Sequence, residues 1–310
     1  MNRRNSDFLT TVSLIVLLAV YYAAGWRVAD APSARPFLSG LLAALTLLFC
    51  SLLLALVHHR TMTGASGVTA FLYLVLAAAH PGALYFSSFH AATLLTAVSF
   101  SCCLFFNALT PSLKYAAGMW AALATAGIFL PPVLWLSPVL ALLSAGKPMD
   151  KGKFWFTTLV ALVLPVSIWI VVRYLWGDPL SLSDLFRDIR MGMTAIQRPS
   201  LHFPAATLCR ILMTAAITLT AVIHVSSRLS TYKTAQDHAC VQLIILTLCV
   251  SVLALLFLPA HAVPADMLVC LPVAPLLGEY AQHPGNRKVA RMLMAVLGLL
   301  LVIERISFFV

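Results

Sequence analysis

The chain has 310 residues, of which 61% are hydrophobic and 10% are charged, and its formal net charge is +10. A soluble domain usually carries about 25% charged residues, so this composition excludes a water-soluble core with a polar shell. No basic run exceeds two residues and no aromatic-basic groove motif occurs, which excludes nucleic acid as a partner. The basic residues instead favour contact with membrane lipids that carry anionic headgroups.

The apolar residues form long runs that are separated by short polar gaps. A bilayer core about 30 Å thick is crossed by roughly 20 apolar residues in a helix, and the runs lack the alternation of membrane β-strands. The sequence predicts an all-α, polytopic transmembrane helical bundle that forms one domain over residues 1–310. We predict about eleven membrane segments: Phe8–Trp26, Phe37–Val57, Gly67–Ala79, Ala83–Phe106, Tyr115–Leu130, Val133–Ala145, Phe154–Trp176, Phe203–Ser226, Cys240–Leu258, Pro264–Ala281 and Val289–Ile303.

The first predicted segment follows Arg3 and Arg4 and could be mistaken for a secretion signal. Its apolar stretch is long and many further segments follow it, so we expect a retained first helix instead of a cleaved signal.

Two pairs of segments are short and are joined at prolines. His80-Pro81-Gly82 separates the first pair, and Pro131-Pro132 separates the second. Proline lacks the backbone donor and clashes with the preceding turn, so both sites are predicted to end a helix and reverse the chain. If Pro131-Pro132 only kinked one helix, every later segment would change sides of the membrane.

The charge distribution distinguishes these alternatives. With a cytoplasmic N-terminus and alternating sides, twelve Lys and Arg residues fall in cytoplasmic gaps and six in gaps on the far side. The positive-inside rule favours this orientation, the hairpin at Pro131-Pro132, and an inner-membrane protein whose C-terminus lies outside. The twelve cytoplasmic residues are Arg3, Arg4, Arg60, Lys114, Lys147, Lys151, Lys153, Arg228, Lys233, Arg287, Lys288 and Arg291.

The longest outer gap, residues 177–202, contains an amphipathic pattern. Ser181 or Ser183 can cap a helix, and the apolar residues after them recur at helical spacing with charged residues on the other face. The pattern predicts a helix that lies along the membrane surface. The alternative is a loop that packs against its own helix ends. The apolar residues are Leu182, Leu185, Phe186, Ile189 and Met193.

Four arginines near this gap form the candidate binding site. Arg210 lies about seven residues into its segment, roughly 10 Å deep, and Arg173 lies near the outer end of the preceding segment. Together with Arg187 and Arg190 they could bind an anionic lipid or a phosphate, because guanidinium groups bind phosphate in a bidentate fork. The alternative is that Arg173 pairs with Asp178 and that Arg210 snorkels to the interface.

Other chemical signals are sparse. Pro272 and Pro275 lie within one turn, and such helix breaks line transporter sites, although they also occur as simple kinks. No acidic residue lies in the middle of an apolar run; Glu279 is assigned to a segment end. His58-His59 beside Arg60 is interpreted as a cytoplasmic cap. The seven cysteines show no paired spacing and are interpreted as buried hydrophobes. We expect no metal and no cofactor, since no ligand or nucleotide motif occurs.

Two stretches carry a resemblance to a known family. Residues 114–178, with Pro131-Pro132, Lys151-Gly152-Lys153 and Leu164-Pro165, and residues 242–310, with Ala274-Pro275 and Arg287, resemble a Bacteroidota family of multi-pass inner-membrane proteins. That family is known as a domain of unknown function, so the resemblance implies a compartment and a class and no catalytic residue.

Three functional hypotheses follow. The leading one is a non-catalytic or accessory protein of the cell envelope, with a membrane protein as partner. The second is an enzyme that acts on polyprenyl-phosphate-linked sugars and resembles membrane glycosyltransferases, in which an acidic residue in the first outer loop corresponds to Asp30. That loop, Arg27–Pro36, is much shorter here. The third is a transporter of small solutes or lipids that uses the Pro272–Pro275 break.

Overall fold

The structure is a computed structural model of the chain. It describes residues 36–61, 66–78, 81–108, 112–145, 149–177, 181–194, 205–228, 241–252 except 243, 266–284 and 287–307. The predicted first segment lies outside the described residues.

Apart from short connections, the described residues are helical, and they contain no strand, which confirms the all-α prediction. Residues 241–252 are also helical, apart from the undescribed residue 243. Two short 3-10 helices occur, η1 (Pro81–Leu84) and η2 (Pro131–Leu136). The α-helices are α1 (Pro36–Thr61), α2 (Ser66–Ala77), α3 (Ser88–Ala108), α4 (Leu113–Phe129), α5 (Ser137–Ala145), α6 (Lys151–Leu175), α7 (Leu182–Thr194), α8 (Ala205–Ser227), α9 (Asp266–Gln282) and α10 (Arg287–Ser307).

Four helices within the described part of the chain are long and apolar enough to cross a membrane. They are α1, α3, α6 and α8, and three of them, α1, α6 and α8, expose many large apolar side chains to the surroundings. Soluble monomers rarely expose contiguous apolar surface on this scale, so the fold is that of a membrane protein. The other described helices are shorter or carry more charge. The structure therefore supports four membrane-crossing helices, and the predicted count of eleven segments stays a prediction.

Helix α6 carries the clearest membrane signature. Exposed aromatic side chains mark both of its ends, Trp155 and Phe156 near the start and Tyr174 and Trp176 at the end. Trp155 and Trp176 are separated by about 31 Å at 1.5 Å per residue, which matches the bilayer core of about 30 Å. Aromatic residues are enriched at both membrane interfaces. Gly177 then adopts a left-handed φ of 78°, which turns the chain out of the helix.

The first proline-joined pair is a hairpin. Helix α2 ends at Ala77, and η1 follows with Pro81 as its first residue. The Phe86 N–H contacts the Ser39 hydroxyl at 2.9 Å, which places this turn beside the start of α1. His90 stabilises the turn through Nε2, 3.3 Å from the Ala83 carbonyl oxygen. Helix α2 is therefore antiparallel to α1, and α3 is parallel to α1.

The second proline site also reverses the chain. Helix α4 ends at Phe129, and η2 begins at Pro131. The rings of Phe129 and Trp169 lie 5.7 Å apart, and those of Phe106 and Phe154, beside the start of α4, lie 6.0 Å apart. Helices α4 and α6 are therefore parallel, so η2 and α5 must carry the chain back between them. The predicted segment Val133–Ala145 thus begins as a 3-10 turn and becomes α-helical only at Ser137.

Helix α9 is the most enclosed element. It packs against α2 and α8, and every residue from 270 to 280 is buried. The helix continues through Pro272 and Pro275 instead of breaking there, which corrects the interrupted-helix interpretation of these prolines. Small residues such as Ala274 and Gly278 let neighbouring helices approach closely.

The predicted amphipathic segment is a helix, α7, within residues 177–202. Ser181 caps it by accepting a hydrogen bond from the Asp184 N–H at 3.1 Å. Leu185 is buried, whereas Phe186 on the next position is 58% exposed. Helix α7 lies against η2, where Gly192 leaves room for the ring of Pro131. It therefore sits at the end of the bundle where α4 finishes.

These directions divide the bundle into two ends. At one end of the bundle α1, α3, α8 and α9 finish and α4, α6 and α10 begin. We call this region the basic end. Of the twelve predicted cytoplasmic Lys and Arg residues, eight lie here. The eight are Arg60, Lys114, Lys151, Lys153, Arg228, Arg287, Lys288 and Arg291.

Candidate functional site

The main cluster of buried ionisable groups lies at the basic end. Glu279 on α9 is 3% exposed and lies between two imidazoles. Its Oε1 is 3.2 Å from Nδ1 of His283, and its Oε2 is 4.0 Å from Nε2 of His58. We call these three residues the His–Glu–His cluster. His58 is buried on α1, and His283, which follows α9, is partly exposed.

A glycine brings Glu279 to this position. Helix α9 approaches α2 so closely at Gly278 that a Cβ added there would overlap the Thr69 side chain and lie 3.4 Å from the Thr69 Cα. Thr69 is fully buried at this contact. The neighbouring residue, Glu279, then faces the end of α1 and His58. The tight contact between α2 and α9 therefore sets the geometry of the cluster.

The turn after α9 is fixed to α8. Nε2 of His224 lies 2.6 Å from the His283 carbonyl oxygen, and the Arg228 guanidinium donates to the same oxygen at 3.4 Å. Because a carbonyl oxygen only accepts, Nε2 of His224 carries the proton. The His224 ring also meets Tyr280 edge-on at 5.6 Å. These contacts hold the C-terminal ends of α8 and α9 together.

The electrostatics of the cluster follow from burial. A buried carboxylate is stable only when a cation or donors compensate it, and two imidazoles lie next to Glu279. The imidazoles of His58 and His283 are therefore the groups that face this buried carboxylate.

The cluster does not have the layout of a metal centre. Among the described residues, no group of three or more His, Cys, Asp or Glu side chains could hold a metal ion. No disulfide joins the six described cysteines, and three of them are buried among apolar residues.

The four predicted arginines lie on three helices. Arg210 on α8 is 3% exposed and so is enclosed by protein. Arg173 lies on α6, which packs against α4, whereas α8 packs against α9 and α10. On α7, Arg187 pairs with Asp184 at 2.9 Å, and Arg190 is exposed. A shared phosphate site at this end stays a prediction.

Asp30 and Asp178 lie outside the described residues, so the acid of the glycosyltransferase hypothesis and the Arg173–Asp178 pair also stay predictions. Pro131 and Pro132 mark the end of α4, as described above.

For two residues the sequence predicts the position in the helix but not the burial. His58 was predicted to cap the cytoplasmic end of its helix, but it is buried against Glu279, and only the neighbouring His59 is exposed. Glu279 lies in the last turn of α9, as its assignment to a segment end predicted, and its side chain is enclosed. One signal pointed to the cluster: the predicted topology puts His58, Glu279 and His283 on one side of the membrane.

A separate acidic residue at the basic end has a structural role. Asp150 caps α6 by accepting hydrogen bonds from the backbone N–H groups of Gly152 at 3.0 Å and Lys153 at 3.3 Å. These bonds, with that to Lys153 the largest contribution, lower the pKa of Asp150 below its usual value of 3.8, and the Lys153 ammonium adds to the effect. The side chain is exposed and stabilises the helix start.

No protein-family model, no curated protein and no solved structure matches the chain. The resemblance to the Bacteroidota family therefore stays a prediction.

Proposed function

We propose that the chain is a non-catalytic, accessory protein of the cell inner membrane and that its basic end faces the cytoplasm. The observation that carries this proposal is the concentration of ionisable groups at one end of the bundle. The His–Glu–His cluster and eight Lys and Arg residues collect there.

The orientation is supported by the two ends of the bundle. The described opposite end has fewer basic residues: Arg173 at the end of α6, Arg210 near the start of α8, Arg305 near the end of α10, and Arg187 and Arg190 on α7, which are balanced by Asp184 and Asp188. The positive-inside rule assigns the richer side to the cytoplasm. With the hairpins at η1 and η2 counted as pairs of segments, this gives eleven segments, a cytoplasmic N-terminus and a C-terminus outside.

The polar groups inside the helices support an accessory role over transport. Seven hydroxyls bond to the carbonyl oxygen four residues earlier in their own helix, which uses their donor locally. They are Thr46, Thr96, Ser101, Thr125, Ser144, Thr218 and Thr220. The transporter hypothesis needs a polar cavity at Pro272–Pro275, and burial of every residue from 270 to 280 argues against it.

The accessory proposal is tested by purifying the tagged full chain from its own membranes in a mild detergent and measuring the mass of the intact complex. We expect the 33.5 kDa chain in a complex of fixed stoichiometry with a second membrane protein. A solitary monomer, both in detergent and in lipid nanodiscs, would contradict the proposal.

Two exposed leucines provide matched variants for this experiment. Leu164 on α6 is 54% exposed and Leu212 on α8 is 61% exposed. Leu164→Gln and Leu212→Gln place the same polar group on different outer faces, so loss of the partner from only one of them identifies the face that binds it. The enzyme hypothesis has its own test: cells that carry Asp30→Ala or Arg210→Ala should lose function while the protein still accumulates.

A further inference from the structure

A cavity lies at the basic end, beside the His–Glu–His cluster. Its volume is about 310 Å³, and it is formed where α9 turns into α10. Its lining includes the polar side chains of Gln282, Arg287 and Arg291 and the turn residue Pro284. The described residues that line it include no acid. Small-molecule sites begin at about 300 Å³, so the cavity has room for a compact headgroup.

The two arginines are arranged to meet one ligand. Arg287 and Arg291 are four residues apart on α10, so they lie on the same face of the helix. Both side chains are exposed and remain accessible. Guanidinium groups bind phosphate oxygens in a bidentate fork. The first turn of α10 adds the positive end of a 21-residue helix to the same site.

The walls of the cavity are fixed before a ligand arrives. His224 and Arg228 hold the His283 carbonyl oxygen, which anchors the turn that supplies Pro284. Ala290 is buried between the two arginines and forms a small-residue floor. A site that is ordered in advance loses less conformational entropy on binding.

The position of the cavity indicates that a phosphate bound there belongs to a lipid headgroup. Helix α10 exposes apolar side chains from the position after Arg291 onward, with Met292 at 62% and Leu299, about two turns further along, at 60% exposure. The arginines therefore lie where an apolar, outward-facing surface begins, which is the level of lipid headgroups.

We propose that the cavity between α9 and α10 binds the phosphate of an anionic lipid headgroup through Arg287 and Arg291. The site differs from the arginines predicted near residues 173–210, which lie towards the opposite end of the bundle. It requires that α10 enters the membrane, and it does not depend on the accessory function.

The test measures lipid retention by native mass spectrometry on the full chain in detergent. Phosphatidylglycerol or phosphatidylcholine is added at equal concentration to the wild type, to the Arg287→Ala/Arg291→Ala double variant and to Lys288→Ala. Lys288 lies on the same turn and carries the same charge, but it does not line the cavity. We expect the double variant to retain phosphatidylglycerol about tenfold less well or worse, and Lys288→Ala to retain it as the wild type does.

A second arm adds inorganic phosphate and follows thermal unfolding. Protection by inorganic phosphate that requires both arginines, without preferential retention of phosphatidylglycerol, would keep the phosphate site but overturn the lipid source. Equal retention by wild type and double variant, or an equal loss in Lys288→Ala, would overturn the proposal. Ala290→Leu, which fills the floor, should also lower retention. A normal melting temperature for the double variant would exclude misfolding as the cause of its loss.

Discussion

Helices α9 and α6 are both apolar, and they occupy opposite environments. Helix α9 has 17 residues and is buried along most of its length. Helix α6 has 25 residues, yet 11% of its most apolar 18-residue stretch is buried, against 61% in α3. Its buried positions, Phe154, Thr158 and Ala161, form one narrow stripe. The longer and more obvious membrane helix is thus the peripheral one, and the shorter helix with two prolines is central.

The difference has a physical cause. Lipid tails are as apolar as leucine, so hydrophobicity alone does not drive one membrane helix against another. Close packing of small residues and contacts between polar groups do so. Helix α9 has a close approach at Gly278, and Glu279 lies 3.2 Å from His283. The comparison predicts that substitutions on α9 are damaging and that equivalent ones on α6 are tolerated.

The largest expected effect is at Glu279. Glu279→Ala removes the carboxylate and leaves His58 and His283 facing each other, so we expect a loss of about 3 kcal/mol in the free energy of unfolding. Glu279→Gln keeps the shape and should lose less. Unfolding of the purified protein in detergent measures both. His58→Ala and His59→Ala supply the control, because only His58 is buried; equal effects from the two would contradict the cluster.

The next effect compares identical truncations on the two helices. Leu277 on α9 is fully buried and Leu159 on α6 is 59% exposed. Leu277→Ala leaves a cavity among packed side chains, and we expect a loss of about 2 kcal/mol. Leu159→Ala is filled by lipid or detergent and should change the stability by less than about 0.5 kcal/mol. Similar losses at both positions, measured by the same unfolding assay, would remove the distinction between the helices.

The sequence predicts the helices of this structure but not the contacts between them. The helices that are fully described begin and end close to the predicted segments, because long apolar runs and prolines such as Pro131 set their limits locally. The His–Glu–His cluster joins residues 58, 279 and 283, which only the packing of α1 against α9 brings together. Hydropathy does not distinguish a side chain that faces lipid from one that faces protein, so the burial of Glu279 could not be predicted.

A smaller effect is expected from two glycines. Gly278→Ala would overlap Thr69, so α2 and α9 must separate, and we expect a loss of at least about 1 kcal/mol. Gly298→Ala on α10 meets no atom within 4 Å, and it should be neutral or slightly stabilising because alanine favours helices. Thermal unfolding of both variants checks this pair. A stable Gly278→Ala protein would show that the close approach is not required.

The smallest effect concerns the cap of the peripheral helix. Because the folded-state pKa of Asp150 is depressed below 3.8, its carboxylate stabilises the fold above that pH, and the contribution is lost as the pH falls through the lower folded-state pKa. Asp150→Ala should lower the melting temperature slightly at pH 7, and the difference from wild type should shrink in acid below pH 3.8. A difference that grows in acid would contradict this role.

Membrane sidedness of the two ends is the central claim, and thiol labelling in right-side-out membrane vesicles tests it most directly. Lys114→Cys probes the basic end and Arg187→Cys probes α7, with the parent chain as the control for its own cysteines. A membrane-impermeant maleimide should label the Arg187→Cys chain at once and the Lys114→Cys chain only after the vesicles are opened. Labelling of both positions in sealed vesicles would contradict a bundle whose two ends face opposite sides of the membrane.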